Sequence, residues 1–257
     1  MREPSPFGRY FPDREVSAQA PADVAVVMPT TLGRDTVGRA VASVYQQAFG
    51  GRIQLAIGVD VLRGDMAALE DLLERRPANV SALVLALPYS TATRHGGVHN
   101  PVDGGSLRAV LSLAANARSV AYLDDDNTWA PQHLALLHQA LGGNTYAFSR
   151  RMLVDDPTDA DLGVDLWHSV GPGRGEYAAT GGFVDPNCLL VNKVRAAHQF
   201  GHWAQTWTGR AGGHGADKRF FASIAAEPFG EVPQATVRYR IAGDNRLHQN
   251  LKTSAAS

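Results

Sequence analysis

An α/β fold built on a mainly parallel sheet with helices on its faces follows from three features of the sequence. Through the first half of the chain, short apolar runs alternate with stretches of helical period, the pattern of strands joined by crossover helices. The strand runs are continuously apolar, as in Val24-Ala25-Val26-Val27-Met28, which marks strands covered on both faces. These runs close at Thr30, Asp60, Pro88 and Asp124, so four strand ends fall on the edge where open α/β sheets bind ligands.

Residues 1–22 carry charges, prolines and aromatics and are expected to form an N-terminal arm. A single domain is expected over 23–257, with a regular half (23–130) and a less regular half (131–257). The first strand, 24–28, is ended by Pro29, Thr30 and Thr31. Val37, Val41, Val44 and Ala48 then share one helical face, with Asp35 or Thr36 as the expected cap. A second strand, 53–59, is closed by Asp60, and Met66, Leu69, Leu72 and Leu73 give the next helix its stripe before Arg75, Arg76 and Pro77 stop it. The third strand, 82–87, leads into a long glycine-containing loop, 88–105, with Arg94, His95 and His99. Leu107, Val110, Leu111 and Ala114 form a helix, 120–123 a strand, and Pro131, Leu134, Leu137, His138 and Leu141 another helix with proline in its first turn.

The second half reads as an edge or antiparallel strand over 146–154, an acidic turn region over 155–165, a strand over 188–191, a helix over 217–226 and a last strand over 236–239. Glycine-rich loops at 171–182 and 209–215 separate them.

A net charge of −1 provides no global field toward nucleic acid or an anionic membrane, so binding must come from a site. Cys188 is the single cysteine, which leaves no intramolecular disulfide framework and fits a reducing cytoplasm. The longest apolar runs, 24–29 and 82–87, fall far short of the roughly 20 residues a membrane helix needs, so no integral membrane segment is expected.

The triplet Asp124-Asp125-Asp126, delivered by the strand run Val120-Ala121-Tyr122-Leu123, concentrates three carboxylates where hydration is poor. Such a cluster calls for an offsetting cation, and a hard divalent ion that also holds phosphate oxygens is the natural choice. Capping the following helix would ask for one carboxylate, not three.

The motifs Val26-Val27-Met28-Pro29-Thr30-Thr31, Ala42-Ser43-Val44-Tyr45-Gln46-Gln47, Val59-Asp60 and Ala121-Tyr122-Leu123-Asp124-Asp125-Asp126-Asn127 resemble the nucleotide-binding half of the inverting family-two glycosyltransferases, which have the GT-A fold. The resemblance is close over the first half of the chain and loose over the second. It implies that 23–130 binds a nucleotide sugar, a UDP-sugar by preference, and that 131–257 binds a glycan or small-molecule acceptor. Pro29, Thr30 and Thr31 would line the nucleoside pocket, with Arg34 beside them, and Asp60 would bond the base. Arg108 would approach the diphosphate. Asp126 would be the main ligand of Mn²⁺ or Mg²⁺, with Asp124 on the ribose or metal and His248 as a further ligand. Asp125 is grouped with the donor contacts and has no specific role of its own. Two departures stand out: Val61-Leu62-Arg63-Gly64 replaces the acid, glycine and serine usual after the second strand, and Ala216 replaces the first acid of a catalytic pair.

Asp217, after the loop Gly213-His214-Gly215, is then the expected general base, with His214 as its nearest alternative. Gly181, Gly182, Trp203, Trp207 and His214 are the expected acceptor contacts. The predicted activity is metal-dependent, inverting transfer of a sugar to an acceptor hydroxyl, in the cytoplasm or at the membrane face. A sugar nucleotidyltransferase would need a glycine-rich phosphate loop, where this chain has Thr30-Thr31-Leu32-Gly33-Arg34. A nucleotide-sugar or carbohydrate-binding subunit that has lost catalysis is the alternative from another class, and Ala216 keeps it open.

Overall fold

The structure, a computed structural model, describes residues 8–12, 20–101, 104–207, 215–242, 245 and 247. Its first half contains β1 (Arg9–Phe11), β2 (Ala22–Thr30), α1 (Val37–Tyr45), β3 (Ile53–Val59), α2 (Met66–Glu74), β4 (Val80–Ala86), α3 (Gly105–Ala114), β5 (Ala117–Tyr122) and β6 (Thr128–Trp129). The second half contains α4 (His133–Leu141), β7 (Tyr146–Asp155), β8 (Asp161–Val164), β9 (Gly171–Pro172), β10 (Gly182–Phe183), β11 (Leu189–Asn192), α5 (Ala216–Ile224) and β12 (Phe229–Ile241).

Ten of these strands make one sheet in the order β1-β4-β3-β2-β5-β11-β7-β12-β6, with β8 added to β7. Strands β4, β3, β2 and β5 are parallel, as their continuous apolar character predicts. Their side chains, from Val24 to Met28 and from Ile53 to Val59, are almost wholly buried. Among the described residues no helix is long and apolar enough to cross a membrane.

Several expectations change. Part of the N-terminal arm is structural, because Arg9–Phe11 pairs antiparallel with β4. Strand β2 runs on through Pro29 and Thr30 instead of stopping at Met28. Leu123 N donates to Val27 O, so Val27 and, two residues on, Pro29 face the β5 side, where the strand register has ended at Val27. The missing N–H of Pro29 therefore breaks no ladder bond. Thr36 is the residue before α1, yet its side chain makes no capping bond, and its hydroxyl is buried.

Strand β7 lies inside the sheet, antiparallel to β11 and parallel to β12, and is not an edge. Its sequence looks half exposed because of Arg150 and Arg151, but Arg151 is fully buried against carboxylates. Strand β12 has 13 residues where the apolar pattern marks four, because register shifts between Val232 and Val237 carry the strand past Pro233.

Candidate functional site

The parallel strands β2, β3 and β5 deliver Thr30, Asp60 and the aspartate triplet to one wall-lined cavity of about 460 Å³. Pro29, Thr31, Gly33, Arg34, Arg63, Arg94, His95, Gly104, Arg108, Tyr239 and Arg240 complete the lining. Every donor-side residue expected from the sequence is therefore in one place. A larger, mainly apolar cavity of about 580 Å³ lies beyond His95, bounded by α2, β1, β3 and β4, and contains none of the aspartates.

Each aspartate has a different environment. Asp124 accepts from the buried Arg108 and from Asn187 Nδ2 at 2.8 Å, while its backbone N–H donates to Asn187 Oδ1 at 2.7 Å. Asp125 is buried and accepts from Thr30 Oγ1 at 2.6 Å and from Arg34 Nη1 at 2.8 Å. It thus ties the end of β2 to the end of β5, a specific role that the sequence alone did not assign. Asp126 accepts from the same Arg34 nitrogen at 2.7 Å and is the most solvent-accessible of the three, with 32 % of its side chain exposed. Burial, followed by the charge of Asp124, pushes the Asp126 carboxyl up to about 7 despite the opposing pull of Arg34.

Asp60 is engaged by the long loop: Ser90 Oγ donates to it at 3.1 Å and the Thr91 N–H at 2.9 Å. The carboxylate fixes this loop and retains lone pairs for a further donor. Two non-glycine residues beside the strand ends, Leu32 and Val61, have φ of 56°. Left-handed backbone at a β-branched residue such as Val61 is strained, and strain of this kind collects at binding sites. The two loops interlock, since a side chain on Gly64 would collide with the Leu32 carbonyl.

Behind the cavity lies a network that sequence reading missed. Arg151, fully buried, donates to Asp165 and, through Nη1 at 2.6 Å, to Asp185. Asp185 accepts from the Asn187 amide, and Asn187 holds Asp124. Arg151 also sits over the Tyr239 ring at 4.0 Å. The available signal was Asp185-Pro186-Asn187 directly before an apolar strand, whose antiparallel pairing with β5 sets Asn187 against the triplet.

On the acceptor side the expectations fare unevenly. Asp217 occupies the first turn of α5 and pairs with Lys218 at 3.3 Å. Ala216 is buried, and a side chain on Gly105 of α3 would touch it and strike the Trp203 carbonyl. A carboxylate at 216 would be desolvated there, which accounts for the alanine. Trp203 is not an acceptor platform: it is fully buried, stacked on Phe220 at 4.4 Å, with its indole N–H donating to Tyr122. Gly182 is required by the β9–β10 hairpin, because a side chain there would strike the Gly171 carbonyl. Gly181 is exposed, and Trp207 is half-buried with its Cβ close against Gly215. His214 and His248 lie outside the described residues.

Among the described residues, no group of three or more His, Cys, Asp or Glu side chains is gathered so as to hold a metal by itself. The all-oxygen donor set of Asp124 and Asp126 still fits Mg²⁺ or Mn²⁺, which bind through one or two carboxylates with the remaining positions filled by phosphate and water.

No protein-family model and no curated protein matches the sequence. Solved structures do match. S. aureus TarS superposes with a TM-score of 0.61 at 11 % identity, over 91 % of this chain and 39 % of that one. TarS 1–349 in complex with UDP gives 0.60 at 10 % identity over 89 % and 63 %, and its complex with UDP-GlcNAc gives 0.58 at 11 % over 88 % and 60 %. The chain thus spans less than two thirds of the length of the TarS chains it matches. At this level of identity the likeness establishes architecture: the chain has the GT-A-type fold of TarS.

Proposed function

We propose that this protein is a glycosyltransferase that moves a sugar from a nucleotide-diphosphate donor, a UDP-sugar by preference, to an acceptor hydroxyl. The observation that carries the reading is the convergence of Thr30, Asp60 and Asp124 to Asp126 with Arg34 and Arg108 on one cavity of a GT-A-type fold. TarS, which shares that fold, is a glycosyltransferase seen with UDP and UDP-GlcNAc.

In this reading the nucleoside lies against Pro29, Thr30 and Thr31, with Asp60 accepting from the base. Arg34, Arg63 and Arg108 face the diphosphate, where planar guanidinium groups suit phosphate oxygens. Asp126, with Asp124, would hold Mn²⁺ or Mg²⁺; when bound, the ion neutralises charge on the departing diphosphate. Asp217 accepts the proton of the acceptor hydroxyl as its oxygen attacks the anomeric carbon from the face opposite the diphosphate, and this single displacement inverts configuration.

Titration of UDP by calorimetry, with and without Mn²⁺, tests the donor site; absence of binding in both would refute it. Asp217→Asn is expected to lower turnover about 10²–10⁴-fold while UDP affinity is kept. The Asp217–Lys218 pair also suits a binding subunit in which that carboxylate is purely structural. Release of free UDP from a panel of UDP-sugars separates the two, since a binding subunit releases none.

A further inference from the structure

Five carboxylate oxygens of the aspartate cluster already accept from named donors. Asp124 is covered by Arg108 and Asn187, Asp125 by Thr30 and Arg34, and Asp126 by Arg34. The decisive contact is a single nitrogen, Arg34 Nη1, which lies 2.8 Å from Asp125 Oδ1 and 2.7 Å from Asp126 Oδ2. It bridges two carboxylates in the way a small cation would. Unlike Arg108, whose side chain is buried, Arg34 is 56 % exposed and reaches in from the turn after β2. Its guanidinium can therefore swing out to water without itself becoming a buried unpaired charge, while the buried Asp125 keeps its bond from Thr30.

We propose that Arg34 is a built-in cation of this site, which a divalent ion must displace to bind Asp126 and which then turns to the donor phosphates in the same cavity. The second step rests on the donor reading above; the first does not. Two cations drawn to the same pair of carboxylates repel each other, so occupancy by one weakens the other. Arg34 thereby couples ion and nucleotide: without an ion it neutralises the aspartates, and with one it is released to a dianionic ligand.

The test uses Mn²⁺ alone, followed by the paramagnetic resonance signal of the free ion, on the nucleotide-free protein at pH 8 and low ionic strength. Arg34→Gln keeps a hydrogen-bonding side chain and removes the charge. It is expected to bind Mn²⁺ at least tenfold more tightly than the wild type. Arg39→Gln, which removes another exposed charge from α1, should leave Mn²⁺ affinity within about twofold. In the double variant Arg34→Gln/Asp126→Asn the gain should vanish. Unchanged Mn²⁺ affinity in Arg34→Gln, no Mn²⁺ binding by either protein, or an equal gain in Arg39→Gln overturns the proposal. Circular dichroism melts confirm that the variants fold. A parallel UDP titration keeps the two readings apart: if UDP binds neither protein while Arg34→Gln still gains Mn²⁺ affinity, the donor reading fails and the competition stands.

Discussion

Two clusters of arginine and aspartate lie close together in this protein, and Asn187 joins them. In the outer one, Arg34 and Arg108 bond directly to Asp124, Asp125 and Asp126 in the wall of an open cavity. In the inner one, Arg151 meets Asp165 and Asp185 with no exposed surface on the arginine. The residue types are the same, but Asp165 and Asp126 are driven in opposite directions, while burial raises Asp185 despite Arg151. Asp165 is held below the usual carboxylate range: burial would raise it, and Arg151 with the N–H groups of residues 167, 168 and 169 outweighs that effect. Asp126, with fewer donors and two like charges beside it, is pushed upward. Each cluster holds one carboxylate more than guanidinium, so access to water separates them: the inner charges are buried and held by fixed donors, whereas Asp126 lies open to a cation.

The largest effect is expected at the inner cluster. Arg151→Leu leaves two buried carboxylates unpaired and should cost about 3–5 kcal/mol, lowering Tm by roughly 6–20 °C. Thermal denaturation measures it, and a loss below about 1 kcal/mol would erase the distinction between the clusters.

At the outer cluster the sign reverses. Because the folded-state value of Asp126 is raised above its unfolded value, its contribution to stability is fully present below about pH 4 and is lost as pH rises through 7. Asp126→Asn should therefore stabilise the protein at pH 8, by on the order of 1–2 kcal/mol after allowance for solvent screening, with the difference disappearing near pH 4. Urea unfolding across that range checks it; a variant less stable than the wild type at pH 8 would place Asp126 with the paired, structural group.

The smallest effect concerns backbone strain on the same edge. Val61→Gly removes a side chain from a residue at φ 56° and should raise stability by up to about 1 kcal/mol, the strain relieved exceeding the entropy that glycine loses on folding. A loss in chemical denaturation would show that packing of Val61 in the apolar cavity outweighs the strain.

The edge that carries the aspartate cavity was legible because its signals are local. Continuous apolar runs identify β2, β3, β4 and β5, and in a parallel sheet the residue after each run must lie on the same edge, so Thr30, Asp60 and Asp124 could be grouped without coordinates. The Arg151 network was not legible, since its members come from β7, the turn after β8 and the stretch before β11, and nothing in their spacing reveals that they meet. Trp203 illustrates the opposite error. A tryptophan four residues from another suggested a sugar platform, yet its indole fills the core between α3 and α5. Composition alone does not distinguish an aromatic face offered to a ligand from one packed against Phe220.

The sequence by itself determined the parallel half-sheet, the edge where the cavity lies and the acidic character of its centre, because strand periodicity and burial are properties of contiguous residues. Tertiary structure decided which charges are neutralised and by what. Arg34 lies 91 positions from Asp125, and Asn187 lies 63 from Asp124. Electrostatic energy depends on distances of a few ångströms and on access to water, and only the folded arrangement of distant segments sets either.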